Sequence, residues 1–376
     1  MAPSESCCVV APASGGDGLL FVTATDSSDI TGLQQAYRAL MWRRIRILAG
    51  LVAVLIVCFL TDLSLGPAHL SLTDVLRTLT GGDNGGADTV VVWKLRLPFA
   101  VMAILTGAAL GLAGAEMQTI LDNPLASPFT LGLSAASAFG ASLAIVPGWR
   151  LPLPWIGGEW IVAVNAFIFA IGAALLLDLV ARWRGAATGT VVLFGIALVF
   201  TFQALVSLLE FLASEDALQE LVFWTMGSVT RATWPKIAVL NTAFSIIFPW
   251  SLRSAWALTA LRMGEDRAAS LGVDVPRIRL ASLLRVSILA ALAVAFSGTI
   301  AFVGLVAPHI ARRLLGEDHR VYLPGSILVG GIIMSAAAIA AKNLISGEVL
   351  PVGIVTALVG IPFFLVIVLR QNRATS

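Results

Sequence analysis

The stretch AFVGLVAPHIARRLLGEDHR, Ala301 to Arg320, decides how the rest of the chain is read. It begins as apolar as a buried helix, is interrupted by Gly304 and Pro308, and ends on Arg312, Arg313 and a mixed-charge tail. Upstream, no Asp, Glu, Lys or Arg occurs back to Val286, and Ser297, Gly298 and Thr299 stand inside that run. One pass through about 30 Å of hydrocarbon needs about 20 residues. With its flanks the run fits two: a helix rising from about Ala281 to Phe296, a break at Ser297 to Thr299, and a short descending piece ending in the basic cluster. Broken helices persist in membranes only where protein or a water-filled cavity covers the loosened backbone. A lined cavity is therefore expected beside the break.

Composition agrees with a membrane setting. The 376 residues are 58% hydrophobic and 12% charged, about half the charge of an ordinary soluble domain, and mean hydropathy is +0.92. A net charge of +2 gives no sign of a nucleic-acid partner. Cys7, Cys8 and Cys58 form neither a disulfide framework nor a metal spacing. Further charge-free runs extend from Leu97 to Ala115, Asn123 to Trp149, Trp160 to Leu177, Ala186 to Leu209, Ile237 to Leu252, Val321 to Ala341 and Val349 to Leu369. A shorter one, Ile47 to Thr61, extends through Leu65 if Asp62 sits at the interface. With two passes in the opening run, the expectation is an all-α polytopic protein of about ten transmembrane helices. Both termini and most of the 24 Lys and Arg then fall on the cytoplasmic side, as short loops require. Residues 1–40 read as a disordered cytoplasmic extension, since no basic residue precedes Arg38 to start a secretory signal. The transmembrane domain is placed at 41–376.

The most hydrophilic segment within that domain is SLRSAWALTALRMGEDRAASLGVDVPRIRLASLLR, Ser251 to Arg285. Gly264, Gly272 and Pro276 punctuate it into short helices, and Ala268, Ala269 and Leu271 form a small apolar surface among charges. It reads either as a plain charged loop or as a surface held by another cytoplasmic protein. Gly107, Gly111 and Gly114, four and three residues apart, give one helix a small-residue face for close packing. Gln118 and Asn123 follow near its end; they are either interfacial or face a pathway near a gate. His309 has no carboxylate or thiol neighbour in sequence, which makes it a poor metal site and a better structural polar residue.

From about Leu51 to Arg370 the chain resembles the FecCD-type permeases, the membrane subunits of bacterial ABC importers for ferric siderophores, vitamin B12 or haem. The resemblance rests on LRLP (Leu95–Pro98), GAALGLAG (Gly107–Gly114), MQ and NPLASPFTLG (Met117–Gly132), FWTMGS (Phe223–Ser228), ASLGV (Ala269–Val273), FVGLVAPHIARRLLGEDHR (Phe302–Arg320) and LPVGIVTALVGIPFF (Leu350–Phe364). Their order and spacing make it specific. It implies the type II importer architecture, with a second permease subunit, identical or a close paralogue, and the pathway between the two. It also implies two cytoplasmic ATPases, which bind ATP and Mg, and an extracytoplasmic binding protein. The chain itself holds no GxxxxGK phosphate loop, so no catalytic, cofactor or metal residues are assigned to it. Conduction and mechanical coupling in the bacterial cytoplasmic membrane are its expected work.

Carried over by resemblance, the coupling segment is about 262–280, with Gly264, Ala268, Ala269, Leu271 and Gly272 as the ATPase contacts. The PHIxR element is Pro308, His309, Ile310 and Arg312; with Arg313 it anchors the cytoplasmic interface. The outer docking charges for the binding protein are Arg96 and Lys342. Two positions depart from the family: a second outer arginine is replaced by Phe99, and an acidic residue four before Lys342 is replaced by Ala338. The expected cargo is an intact ferric siderophore, with vitamin B12 or haem as alternatives. An ion-coupled secondary transporter and a non-transporting scaffold are the rival classes; both lack a stoichiometric ATPase partner.

Overall fold

The computed structural model describes residues 8–12, 19–23, 27–66, 71–81, 86–149, 157–183, 188–345 and 348–374. Two compact units are distinguished, Met1–Gly50 and Leu51–Ser376. In the first, β1 (Cys8–Pro12) pairs antiparallel with β2 (Leu19–Thr23). The long α1 (Ser27–Ser64) starts well before residue 41, so β1, β2 and the first turns of α1 fall within the span 1–40.

The helices that follow are α2 (Leu72–Leu79), α3 (Ala87–Val90), a π-helical run at Val91–Arg96, and α4 (Leu97–Ile120). Next come α5 (Leu133–Ile145), α6 (Gly158–Trp183), α7 (Thr188–Leu212), α8 (Glu215–Thr225) and α9 (Trp234–Arg253). Two short helices, α10 (Ala255–Leu261) and α11 (Glu265–Ser270), precede α12 (Val275–Ser297), α13 (Val303–Leu315), α14 (His319–Asn343) and α15 (Val352–Ala374). Among the described residues six helices are long and apolar enough to cross a membrane, residing in α1, α4 with its π-helical lead-in, α6, α7, α12 and α14. The helices α5, α9, α13 and α15 occupy the positions of the other four expected passes.

The membrane-spanning body is organised around α4, whose residues from Met102 onward are almost all buried. Its glycines explain how neighbours come so close. A Cβ at Gly107 would stand 2.2 Å from the Gly330 carbonyl oxygen, one at Gly111 2.3 Å from that of Ser326, and one at Gly114 1.7 Å from that of Gly304. The first two contacts are with α14 and the third with α13, so backbone meets backbone along one seam, as small residues permit. By contrast α7 and α15 carry large exposed apolar side chains such as Phe200, Phe211, Leu358 and Val359.

The break read from sequence lies where α12 stops at Ser297 and α13 starts at Val303. Gly298 (φ +75°) ends the first helix and Phe302 (φ +67°) opens the second, so the chain reverses through two left-handed residues. Its loosened backbone is covered by protein: Ser228 N–H donates to Ser297 O at 2.6 Å, and the Thr299 hydroxyl donates to Thr225 O. Gly227 leaves room for this, because a Cβ there would lie 2.2 Å from Thr299 O. A cavity of about 380 Å³ adjoins the break, lined by Ser134, Gln203, Ser207, Glu210, Thr225 and Thr299 among others.

Candidate functional site

The α9–α12 connection carries the expected coupling segment, and local rules shape it. Ser254 links α9 to α10; Gly264 (φ +106°) and Gly272 (φ +83°) adopt conformations open to glycine. Asp274 then caps α12 by accepting from Arg277 N–H at 3.2 Å, with Pro276 in the first turn. Ala269, Leu271 and Gly272 are exposed on this turn, as is Gly264, with Leu271 half accessible. Ala268 is fully buried, so the outward apolar surface is narrower than the sequence suggested.

Behind that surface a polar network ties the segment to the last turn of α4. Arg285 on α12 and Glu116 on α4 form an ion pair at 2.8 Å, each side chain only 1% exposed. Arg285 Nε also donates to both carboxylate oxygens, at 3.1 and 3.0 Å, while Nη2 donates to Ser282 Oγ at 2.8 Å and Nη1 to Ser254 Oγ at 3.3 Å. Its guanidinium carbon lies 5.2 Å from the centre of the Trp250 ring. This planar, multidentate arrangement offsets the desolvation of two buried charges.

Further toward the segment, His319 at the start of α14 contacts Thr119 Oγ1 through Nε2 at 2.8 Å and Thr259 Oγ1 through Nδ1 at 3.1 Å. One imidazole thereby joins α4, α10 and α14. Arg279 donates to Ile120 O at 3.2 Å and to Glu265 at 2.6 Å. Arg262 pairs with Asp122 at 2.6 Å and with Glu317 at 2.9 Å. Coupling segment, α4 and the α13–α14 turn thus share one set of bonds.

The gate candidates are parts of this frame. Gln118 is fully buried, donates to Leu305 O at 3.2 Å and accepts from Arg312 at 3.4 Å. Asn123 Oδ1 accepts from Leu125 N–H at 2.9 Å and shapes a turn. Pro308 is buried within α13, and half-buried His309 sits edge-on to Phe363 at 6.1 Å. Arg312 also donates to the Tyr322 hydroxyl at 3.2 Å; Arg313 is exposed. Arg312 therefore pins three elements together, a role that its basic character alone did not reveal.

The expected outer docking charges lie elsewhere and face inward. Arg96 is 6% exposed, and its Nη1 donates to Leu63 O at 2.7 Å and Ser64 O at 2.8 Å at the end of α1. The Lys342 side chain is 7% exposed and pairs with Asp62 at 2.7 Å. These two residues do not form an exposed basic ring: the open carbonyls of α1 and the Asp62 carboxylate draw both charges into the fold. Ala338 is buried, and the acid that meets Lys342 comes from α1 instead. Phe99 packs against the core. Sequence distance hid the most buried pair: Glu116 and Arg285 are 169 positions apart, and each stands at the edge of a charge-free run.

The FecCD transport family matches residues 54–370. The hemin transport system permease of Yersinia pestis is 35% identical over 335 residues, covering 88% of this chain and 98% of that one. The vitamin B12 import system permease of Vibrio vulnificus is 34% identical over 339 residues, covering 90% and 98%. Among solved structures, an ABC transporter described as metal-chelate type, in an inward-facing conformation, superposes with a TM-score of 0.75 at 32% identity, covering 86% of this chain and 99% of that one. The similarity spans the membrane body and runs through the α12–α13 break and the coupling segment alike. The chain belongs to the FecCD transport family and is a multi-pass membrane permease of the ABC importer type.

Proposed function

We propose that this chain conducts an intact ferric siderophore across the bacterial cytoplasmic membrane, as one of two permease subunits driven by two cytoplasmic ATPases and supplied by an extracytoplasmic binding protein. ATP and Mg belong to the ATPases, and α11 with the turn that follows it is the surface they hold. Both termini lie on that side. The observation that carries the mechanical part is the turn itself: Leu271 and Ala269 face outward, while the residues behind them are bonded into α4, α12 and α14. A side chain left half bare on a charged surface suits a partner's groove.

The cargo reading rests on the metal-chelate type transporter that shares the fold at 32% identity and on the cavity beside the break, lined by hydroxyls, the Gln203 amide, the Glu210 carboxylate and apolar side chains. Such a wall supplies weak hydrogen bonds and apolar contact to a large chelate, and a single carboxylate is too few donors to strip a multidentate carrier of its metal. Corrinoid or haem is the second reading, favoured by the relatives whose names specify hemin and vitamin B12. The test is ATP-dependent uptake into proteoliposomes containing permease, ATPase and binding protein. The probes are a ferric hydroxamate labelled separately in iron and carrier, cyanocobalamin, and hemin. Equal uptake of the iron and carrier labels is expected; uptake of cyanocobalamin or hemin alone would overturn the siderophore assignment.

A further inference from the structure

The last turn of α4 and the residue pair that closes the turn extend the coupling reading, on which this inference rests. The connection that carries the coupling segment begins at Ser254 and returns to the membrane through α12. Arg285 bonds both sides of that excursion: it donates to Ser254 at its start and to Ser282 on α12, while its main partner is Glu116 on α4. Three further bonds reach the last turn of α4 and the residues just beyond it. Thr119 meets His319, which also holds Thr259 on α10; Ile120 O accepts from Arg279, which also holds Glu265 on α11; and Asp122 pairs with Arg262, just past α10. Each short helix of the α9–α12 connection is therefore bonded through one intermediate side chain to residues 116–122.

We infer that this turn receives the motion of the coupling segment, and that Arg285 with Glu116 is the positioning joint that passes it into the membrane. The chemistry favours a joint over a sliding contact. A guanidinium sharing several N–H donors with a carboxylate fixes angle as well as distance, and neither ion can separate from the other in a buried site without a large cost. Displacement of α10 or α12 must therefore rotate the end of α4 or break the pair. Beyond that end the chain runs through the tight Asn123 turn to Phe129, which lines the cavity at the helix break. The joint thus connects the ATPase side with the wall of the proposed pathway through one short stretch of chain.

The experiment uses the full permease assembled with its ATPase in lipid nanodiscs, with Cys7, Cys8 and Cys58 replaced by serine. Spin-label pairs report two distances, from Leu271→Cys to Leu358→Cys and from Phe129→Cys to Leu358→Cys, each with and without ATP. Both should change in the chain with the joint intact. The joint is then removed by Glu116→Gln, and separately by the paired Glu116→Leu and Arg285→Met, which leaves no unpaired charge and so preserves folding even if the single variant does not. In the paired variant the ATP-driven change at Leu271 should remain while the change at Phe129 is lost. A Phe129 response undiminished in that variant would overturn the inference and leave the pair as a structural staple. An immobile Leu271 in the intact chain would instead remove the coupling-segment reading, and this inference with it.

Discussion

Two buried ion pairs stand near opposite ends of α4, about 30 Å apart along the helix, and they are built differently. Glu116 meets a guanidinium at both carboxylate oxygens, with two serines and a tryptophan ring completing the arginine's surroundings. Asp62 meets a lysine ammonium at one oxygen, and its other oxygen, Oδ2, has no hydrogen-bond partner among the described residues. Arginine fixes direction through a planar fork, whereas lysine supplies a point charge on a flexible stem. The first pair suits a joint that carries load between helices. The second neutralises a buried charge where α1 ends against α14, leaving slack.

The largest expected effect comes from breaking the stronger pair. Glu116→Ala leaves Arg285 buried and uncompensated, and thermal unfolding in nanodiscs should show a loss of about 3–5 kcal/mol. The paired replacement by Leu and Met should recover most of it. If Glu116→Ala unfolds no earlier than the unsubstituted chain, the pair is not holding α4 to α12.

A smaller loss is expected midway along α4. Gly114→Ala places a methyl group 1.7 Å from the Gly304 carbonyl oxygen, so α13 must move away. Overpacking of this kind costs about 1–3 kcal/mol. Gly172→Ala, whose added Cβ meets nothing within 4 Å, is the matched control and should be nearly neutral. Equal melting shifts for the two would remove the close seam from the account.

The smallest effect, at Lys342, sharpens the contrast between the pairs when set beside the matching change at Arg285. Lys342→Arg supplies N–H donors for both Asp62 oxygens and should raise stability by about 1 kcal/mol. Arg285→Lys should lower it by about 1.5–3 kcal/mol, as charge-assisted bonds are lost. Matching changes of one sign would show that the two sites do not differ in directional bonding.

Much of the fold was legible because membrane crossing leaves strong one-dimensional marks. Charge-free runs placed the spans, and Ser297 to Thr299 marked the break, since a Gly between two small polar residues cannot continue an apolar helix unnoticed. The glycines of α4 announced a close approach, but nothing in their spacing says that the partners are Gly330, Ser326 and Gly304. The site was less legible for the same reason. Arg96 and Lys342 look like outer charges in sequence; only the folded end of α1 supplies the carbonyls and carboxylate that absorb them. Glu116 and Arg285 did carry a signal, because an ionisable group at membrane depth calls for a partner. Pairing two such groups across seven helices requires the packing. His319 gave no warning, being one polar residue in a charged tail until Thr119 and Thr259 are brought to its ring.

The central claim is that α11 and the turn that follows it are where an ATPase pushes on this permease. The most direct measurement is photocrosslinking from a benzophenone side chain placed at Leu271 in membranes that contain the ATPase encoded with the transporter. The account predicts a covalent product with that ATPase, diminished by Leu271→Asp in a competing unlabelled chain less than by the unsubstituted chain. Crosslinks confined to lipid or to a second permease copy, in membranes where the ATPase co-purifies with the chain, would contradict it.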